Sequence, residues 1–502
     1  MNLRAVSWLL GCVMLLLAAF MLVPTAVAAF YGEWEACYAF LFSIAITAIV
    51  GGAISFSNRG GTTTDDGHMD FFRREGLAVV GLSWFVSGMV GALPFLIGGA
   101  IESPVDAFFE SVSGFTTTGS TILTGPQIDG LGMSFAFWRS FTHWLGGIGI
   151  VLVFVVLFPT GGRSLFRSEV PGIAREAVQS RVRDAALGLV RVYVILTGLE
   201  VVALNLAGLS LFEAFLHAFG TIATGGFSNH ATSVAHFNSW VVEAIIVFFM
   251  LLAGINFGLY AMTGSGWRNA LRAAKESSEL RLYLSGILGS TLVIAGVLWF
   301  WGGSNGDGNV DLPNYSSLGL ALRDSVFAVV SMVTSTGYAT ADFDRWPEVC
   351  RAMLMVLALI GACAGSTGGG VKVVRFMILA KAALLGVNRF ARPRAIHSVR
   401  VDGQSLESSM VSAITGYFGL WVLVFSLGTL ALTAMDIEIL TAGTAVLATL
   451  NNIGPGLDMV GPTASFTDMP DLVKLLLSGF MILGRLEFYA VVVLFVPRFW
   501  RT

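Results

Sequence analysis

Ten stretches of this chain are apolar over a length that crosses a bilayer, and four times a shorter, half-apolar stretch ending in a glycine loop lies between two of them. The long stretches are the N-terminal run to Phe30, Ala36 to Ser55, Leu77 to Ala100, Phe135 to Pro159, Leu187 to Leu209, Trp240 to Met262, Leu282 to Trp301, Arg351 to Leu385, Met410 to Met435 and Val473 to Val496. A helix too short to span must enter and return by the same face, so the repeating unit reads span, short helix, loop, span. With 55% hydrophobic and 12% charged residues, the chain has too little polar surface to clothe a soluble core. It is an all-α polytopic membrane protein.

The first run carries an early Arg4 and an AVA segment before Phe30, as a cleaved leader does. Its apolar length of about 26 residues is nevertheless enough to span, and a second span follows after a short acidic turn. We expect a retained helical hairpin over 1–57. Cys12, Cys37, Cys350 and Cys363 show no metal-ligand or redox spacing, and no disulfide framework is expected.

Basic residues orient the spans. Placing the N-terminus, the linkers 56–76, 160–191, 263–281 and 372–404 and the C-terminus on one side collects 23 of the 29 Lys and Arg. That side is expected to be cytoplasmic, both termini included, so the glycine loops enter from outside. The run RFARPRAIHSVR at Arg389 to Arg400 is a topology signal on this reading, and no nucleic-acid partner is expected.

Setting Gly119, Gly225, Gly337 and Gly454 as equivalent stacks DAFFESVSGFTTTG, FEAFLHAFGTIATG, DSVFAVVSMVTSTG and TAGTAVLATLNNIG column by column. Phe109, Phe215, Phe327 and Thr444 then share one column. The four units are expected at 76–160, 185–264, 280–388 and 405–498, around a pseudo-fourfold pore. Non-helical backbone at membrane depth is tolerated only where protein buries it or water lines it, and four such loops around an axis offer a ring of carbonyl oxygens that can replace a cation's hydration shell. The short helices would point the negative ends of their dipoles at that centre. The candidate filter residues are Thr117, Thr118 and Gly119; Ala223, Thr224 and Gly225; Ser335, Thr336 and Gly337; and Asn452, Ile453 and Gly454. A single T-T-G is an ordinary turn; four in register are not.

FTTTGS, IATGGFSNH, TSTGY and NNIGPGLD, together with GACAGSTGGGVKVVR and GRLEFYAVVVLFVPRFW, resemble the TrkH/KtrB superfamily of potassium-translocating membrane subunits over nearly the whole chain. The N-terminal hairpin resembles the TrkH branch. The resemblance implies a bacterial inner-membrane homodimer that conducts K+ and assembles with a cytosolic, TrkA-like ring of nucleotide-binding regulatory subunits. No organic cofactor is expected on this chain, which has no G-x-G-x-x-G match. Relatives preferring sodium carry Ser at the first filter glycine; Gly119 therefore implies potassium.

The span from Val349 to about Leu385 would be ~55 Å long as one helix against a core of about 30 Å, so it must break, bend or protrude. The resemblance assigns GACAGSTGGG to an intramembrane gating loop, carried here by Gly365, Ser366, Thr367, Gly368, Gly369 and Gly370. It also places Arg485 in the pore beneath the filter; the simpler reading pairs Arg485 with Glu487 or with a nearby carboxylate. Arg139 and His143 read as structural, and the spacing of His217, His230 and His236 suits no compact helical metal site. The alternatives are a secondary transporter of another cation or of a small organic solute. An intramembrane hydrolase on Ser366 or His143 ranks last, because no catalytic pair falls on neighbouring span positions.

Overall fold

The computed structural model describes residues 1–58, 73–157, 182–261, 266–302, 315–391 and 398–500. Much of the linkers at 56–76 and 160–191, the end of the span read to Pro159 and half of the basic run Arg389 to Arg400 lie outside these residues. Among the described residues the regular structure is helical apart from one two-stranded turn at Arg400–Val401 and Gln404–Ser405 and a single bridge between Ile360 and Val371.

The N-terminal residues form a helical hairpin. Helices Leu3–Phe20 and Leu22–Tyr31 run almost continuously to Gly32, whose φ of 73° ends the helix in the left-handed conformation. Trp34–Ser57 returns beside them. Small residues let the two backbones approach: a Cβ on Gly11 would lie 2.7 Å from the Gly51 carbonyl oxygen. The hairpin is tied to the rest by Glu33, whose carboxylate accepts from the Met133 and Ser134 amides at 2.6 and 3.0 Å and so caps the helix Met133–Leu157.

Four helix–loop–helix units follow. Their short helices are Pro104–Phe115, Leu211–Ile222, Leu318–Val333 and Ile439–Leu450. At 12, 12, 16 and 12 residues they reach only ~18–24 Å, less than the hydrocarbon core. Side-chain caps start three of them: Ser103 on Asp106, the Ser210–Glu213 box and Ser317 on Gly319. The C-terminal half of each is buried, which is unusual for a helix end and requires that its last carbonyls find partners inside the protein.

Six helices among the described residues are long and apolar enough to cross a membrane. The second spans of the last three units do not run as single helices, and here the sequence reading needs correction. Trp240–Ala253 stops at Gly254 and restarts as Phe257–Ala261; Glu348–Leu359 and Val373–Ala391 flank an irregular loop; Asp471–Arg485 ends before a three-residue kink and resumes at Tyr489. Only the middle break was expected. The last kink is held at Glu487 and Phe488, with φ of 53° and 65°, by an ion pair from Arg375 to Glu487 and by burial of Phe488 against Tyr417. That pairing answers the Arg485 question: Glu487 is taken by Arg375.

Close packing beneath the short helices predicts a contrast between two glycines. A Cβ on Gly146 would lie 1.8 Å from the Phe115 carbonyl oxygen, whereas Gly198, also mid-helix, has open space. Gly146→Ala should lower the thermal midpoint of the purified protein by several degrees, while Gly198→Ala should leave it equal or slightly higher, since Ala is the better helix former by about 1 kcal/mol. Fluorescence-detected size-exclusion melting measures both.

Candidate pore and gate

Each short helix ends in the same backbone turn. Thr117, Thr224, Ser335 and Asn452 all take positive φ, between 51° and 57°. The amide of each donates three residues back, to Gly114, Thr221, Met332 and Thr449, at 3.0–3.3 Å. The next amide donates five residues back: Thr118 to Ser113, Gly225 to Gly220, Thr336 to Ser331 and Ile453 to Ala448, at 2.7–2.9 Å. This is the Schellman closure, with Thr, Ser or Asn where Gly usually stands. A β-branched residue held left-handed costs about 1–3 kcal/mol, so the surroundings must impose it.

The turn sets the register, and it corrects the sequence alignment. The glycines two places beyond each left-handed residue are Gly119, Gly226, Gly337 and Gly454, with φ of 83°, 81°, 79° and 102°. In the second unit the equivalent glycine is therefore Gly226, and Gly225 aligns with Thr118, Thr336 and Ile453. The aromatic column moves with it. Leu216 replaces Phe215 beside Phe109, Phe327 and Thr444; those four are buried, while Phe215 is 38% exposed. The duplicated glycine in IATGGF hid the one-residue offset.

These glycines close a ring. A Cβ on Gly119 would meet the Gly225 carbonyl oxygen at 2.1 Å, one on Gly226 that of Thr336 at 2.0 Å, one on Gly337 that of Ile453 at 1.9 Å and one on Gly454 that of Thr118 at 2.9 Å. Each loop thus abuts the next, and the fourth returns to the first. Ser120 Oγ donates to the Gly454 carbonyl at 2.9 Å and Asn452 Nδ2 to Thr118 Oγ1 at 2.9 Å across the closing seam. Tyr338 ties the third loop to the second through the Phe227 and His217 carbonyls. All twelve residues singled out in the sequence lie in this ring or in the turns that lead to it.

Behind the ring stands a buried scaffold. Arg139 Nε meets Glu110 Oε1 at 2.7 Å with both side chains almost wholly shielded, and the same guanidinium donates to the Ser228 carbonyl and to Thr121. Glu110 also accepts from Thr121 and the Ile122 amide, so one ion pair braces the first and second loops. His143 accepts the Phe227 amide at Nε2, which leaves Nδ1 to donate to Gly114. Both ring nitrogens are spent on structure, and Ser366 donates to the Cys363 carbonyl, so the two do not form a nucleophile–base pair. His230 and His236 stack at 3.6 Å and His217 is 6.4 Å from His230, yet no group of three potential ligands with metal-binding geometry occurs among the described residues.

Gly365 to Gly370 and Arg485 come together under the ring. Thr367 Oγ1 donates to the Ile222 carbonyl at 2.9 Å, a Cβ on Gly368 would lie 3.0 Å from the Thr334 oxygen, and one on Gly369 2.3 Å from the Asn451 oxygen. The loop therefore touches the carbonyl ends of three short helices. Arg485 donates to the Thr367 carbonyl at 2.8 Å and, at 3.4 Å, to Gly146 in the first unit. Lys372, counted in the sequence with the cytoplasmic linker 372–404, donates instead to the Gly368 carbonyl, and the Gly369 amide donates to Ser335 Oγ at 2.6 Å. Two cations and several amides thus oppose four converging negative helix ends. Glu279 anchors the loop from its far side by accepting the Ala364 amide at 2.7 Å.

A family model described as "TrkH: Cation transport protein" matches residues 37–271 and 287–502. The chain is 36% identical to the Trk system potassium uptake protein TrkH of Escherichia coli (strain K12) over all of both chains. It is 32% identical to the Trk system potassium uptake protein TrkG of the same strain, over 100% of this chain and 99% of that one. The crystal structure of the potassium transporter TrkH from Vibrio parahaemolyticus superposes over the whole of both chains with a TM-score of 0.87 at 33% identity.

The ion pair behind the ring makes a thermodynamic prediction. Arg139→Gln strands Glu110 in the interior and should cost about 3–5 kcal/mol. Glu110→Gln with Arg139→Gln should recover much of it. Melting midpoints of wild type, both single variants and the double form the cycle; strictly additive losses would show that the two residues act independently.

Proposed function

The chain belongs to the TrkH family of cation transport proteins and serves potassium uptake across a membrane, and we propose that the ion passes through the ring of four loops. It is a transporter and carries out no enzymatic chemistry. The observation that carries the filter reading is the cyclic contact of Gly119, Gly226, Gly337 and Gly454 with the carbonyls of Gly225, Thr336, Ile453 and Thr118. Backbone turned this way presents the carbonyls of Thr117, Thr118, Gly119 and their equivalents, Thr224 to Gly226, Ser335 to Gly337 and Asn452 to Gly454, to a dehydrating K+. Main-chain dipoles suit a weakly hydrated monovalent cation, and the negative ends of four short helices stabilise it just below the ring.

The Gly365–Gly370 loop, with Arg485 and Lys372, is the gate on this reading. In the arrangement described it fills the path beneath the ring and sets positive charge where a descending cation would pass. Glycines suit the role because the loop must lie flat against helix ends and then withdraw. The basic-linker side is cytoplasmic, the membrane is the bacterial inner membrane, and 1–57 is a hairpin appended to units at 76–160, 185–264, 280–388 and 405–498. A homodimer bearing a cytosolic nucleotide-binding ring would pull the loop open from that side.

Gly119→Ser and Gly226→Ser should each lower the ratio of potassium to sodium flux in proteoliposomes, because the added side chain pushes the neighbouring carbonyl out of the ring. Selectivity unchanged in both would remove these loops from the ion path. For the gate, shortening Gly365–Gly370 by two residues should raise open probability in planar-bilayer recordings. A shortened protein that folds and gates like wild type would exclude the loop from that role.

A further inference from the structure

The linker between the second and third units holds a helix that the transport path does not use. Trp267–Glu276 is ten residues long, and its apolar side chains Trp267, Ala270, Leu271 and Ala274 recur at helical spacing on one face. Only part of that face meets protein: Ala270 is buried, whereas Trp267 is 64% and Leu271 48% exposed. Arg268, Arg272 and Lys275, at i, i+4 and i+7, form a solvent-facing basic row directly beside the exposed Trp267–Leu271 edge. The Arg268 guanidinium lies 5.8 Å from the Trp267 ring centroid.

We propose that this helix is a binding site for an anionic phospholipid of the adjacent leaflet. An exposed indole and leucine flanked on one side by three cations match an acyl-chain boundary capped by a phosphate layer, with Trp at headgroup depth. Charge complementarity selects the occupant, since three cations outnumber Glu276, the single acid on the helix, which follows Arg272 at i+4. The helix is also joined to the gate. Ser277 alone separates it from Ser278–Gly302, whose first turn carries Glu279, the acceptor for the Ala364 amide of the glycine-rich loop. Asp402 Oδ1 accepts the Ser278 amide at 2.8 Å and steadies the joint from the other side. Lipid held on the basic row fixes the joint, keeps Glu279 on Ala364 and favours the seated loop. This coupling rests on the gate reading above; the lipid site itself does not.

The test uses the full-length protein in vesicles of phosphatidylcholine alone or mixed with phosphatidylglycerol. Brominated forms of each lipid quench nearby tryptophan, and subtracting the signal of Trp267→Phe isolates Trp267. Wild type should be half-quenched at about a hundredfold less phosphatidylglycerol than phosphatidylcholine, a preference on the scale expected for three basic side chains at an anionic surface. The Arg268→Gln/Arg272→Gln/Lys275→Gln variant should lose that preference. Potassium flux should match wild type in pure phosphatidylcholine, and added phosphatidylglycerol should slow wild type but not the variant. Equal quenching by the two lipids, a preference that survives in the triple variant, or shielding of Trp267 by a cytosolic protein partner instead of lipid would overturn the site. A preference without any effect on flux would overturn the coupling, whereas absence of potassium flux in every vesicle would count against the transport reading and leave the quenching result standing.

Discussion

The contact on which the molecule depends is the approach of one glycine Cα to a carbonyl of the neighbouring loop, made four times in a circle. It is permitted only because each loop arrives in a left-handed turn, and each turn ends a short helix whose last carbonyls would otherwise be orphaned in lipid. Backbone satisfaction and ring closure are therefore one problem. A side chain at any of the four glycines would separate the loops, and a turn of ordinary hand would aim them elsewhere.

Holding four strained turns in a ring takes rigid supports, and these are charged. Arg139 with Glu110, Lys474 with Asp106 and Arg323 with Glu243 each tie a short helix to a neighbouring span with partners 2.6–2.7 Å apart. The deeply buried Arg139–Glu110 pair is tolerated because further hydrogen bonds replace the lost water, and removing one partner is far costlier than never having placed the pair. They stand towards the side from which the loops enter. The opposite side is built differently: three of the four second spans break there, and the freed space holds the glycine-rich loop.

On the proposed reading the two halves answer opposite demands, because a filter discriminates only if its oxygens stay put, whereas a gate must have two positions of similar energy. Buried pairs and Schellman turns suit the first demand. A loop held by separate hydrogen bonds suits the second: Thr367 donates to the Ile222 and Ala253 carbonyls, Arg485 and Lys372 donate to loop carbonyls, and Ser335 and Glu279 accept loop amides, each bond replaceable by water or by another part of the protein.

The amino-acid sequence determined the class, the short re-entrant helices, the existence of four loops and the need for a break after Leu359, because hydrophobic length and glycine content act locally and can be counted. It led the alignment of the second unit astray by one residue: in IATGGF either glycine fits a pattern, and only the hand of Thr224 decides that Gly226 bears the close approach. The interruptions at Gly254 and Glu487, the assignment of Glu487 to Arg375 and the recruitment of Lys372 beneath the ring were likewise decided by tertiary structure. Each depends on which group lies across a gap between segments distant in the chain, and a charge or a glycine carries no mark of its partner until the fold brings the two together.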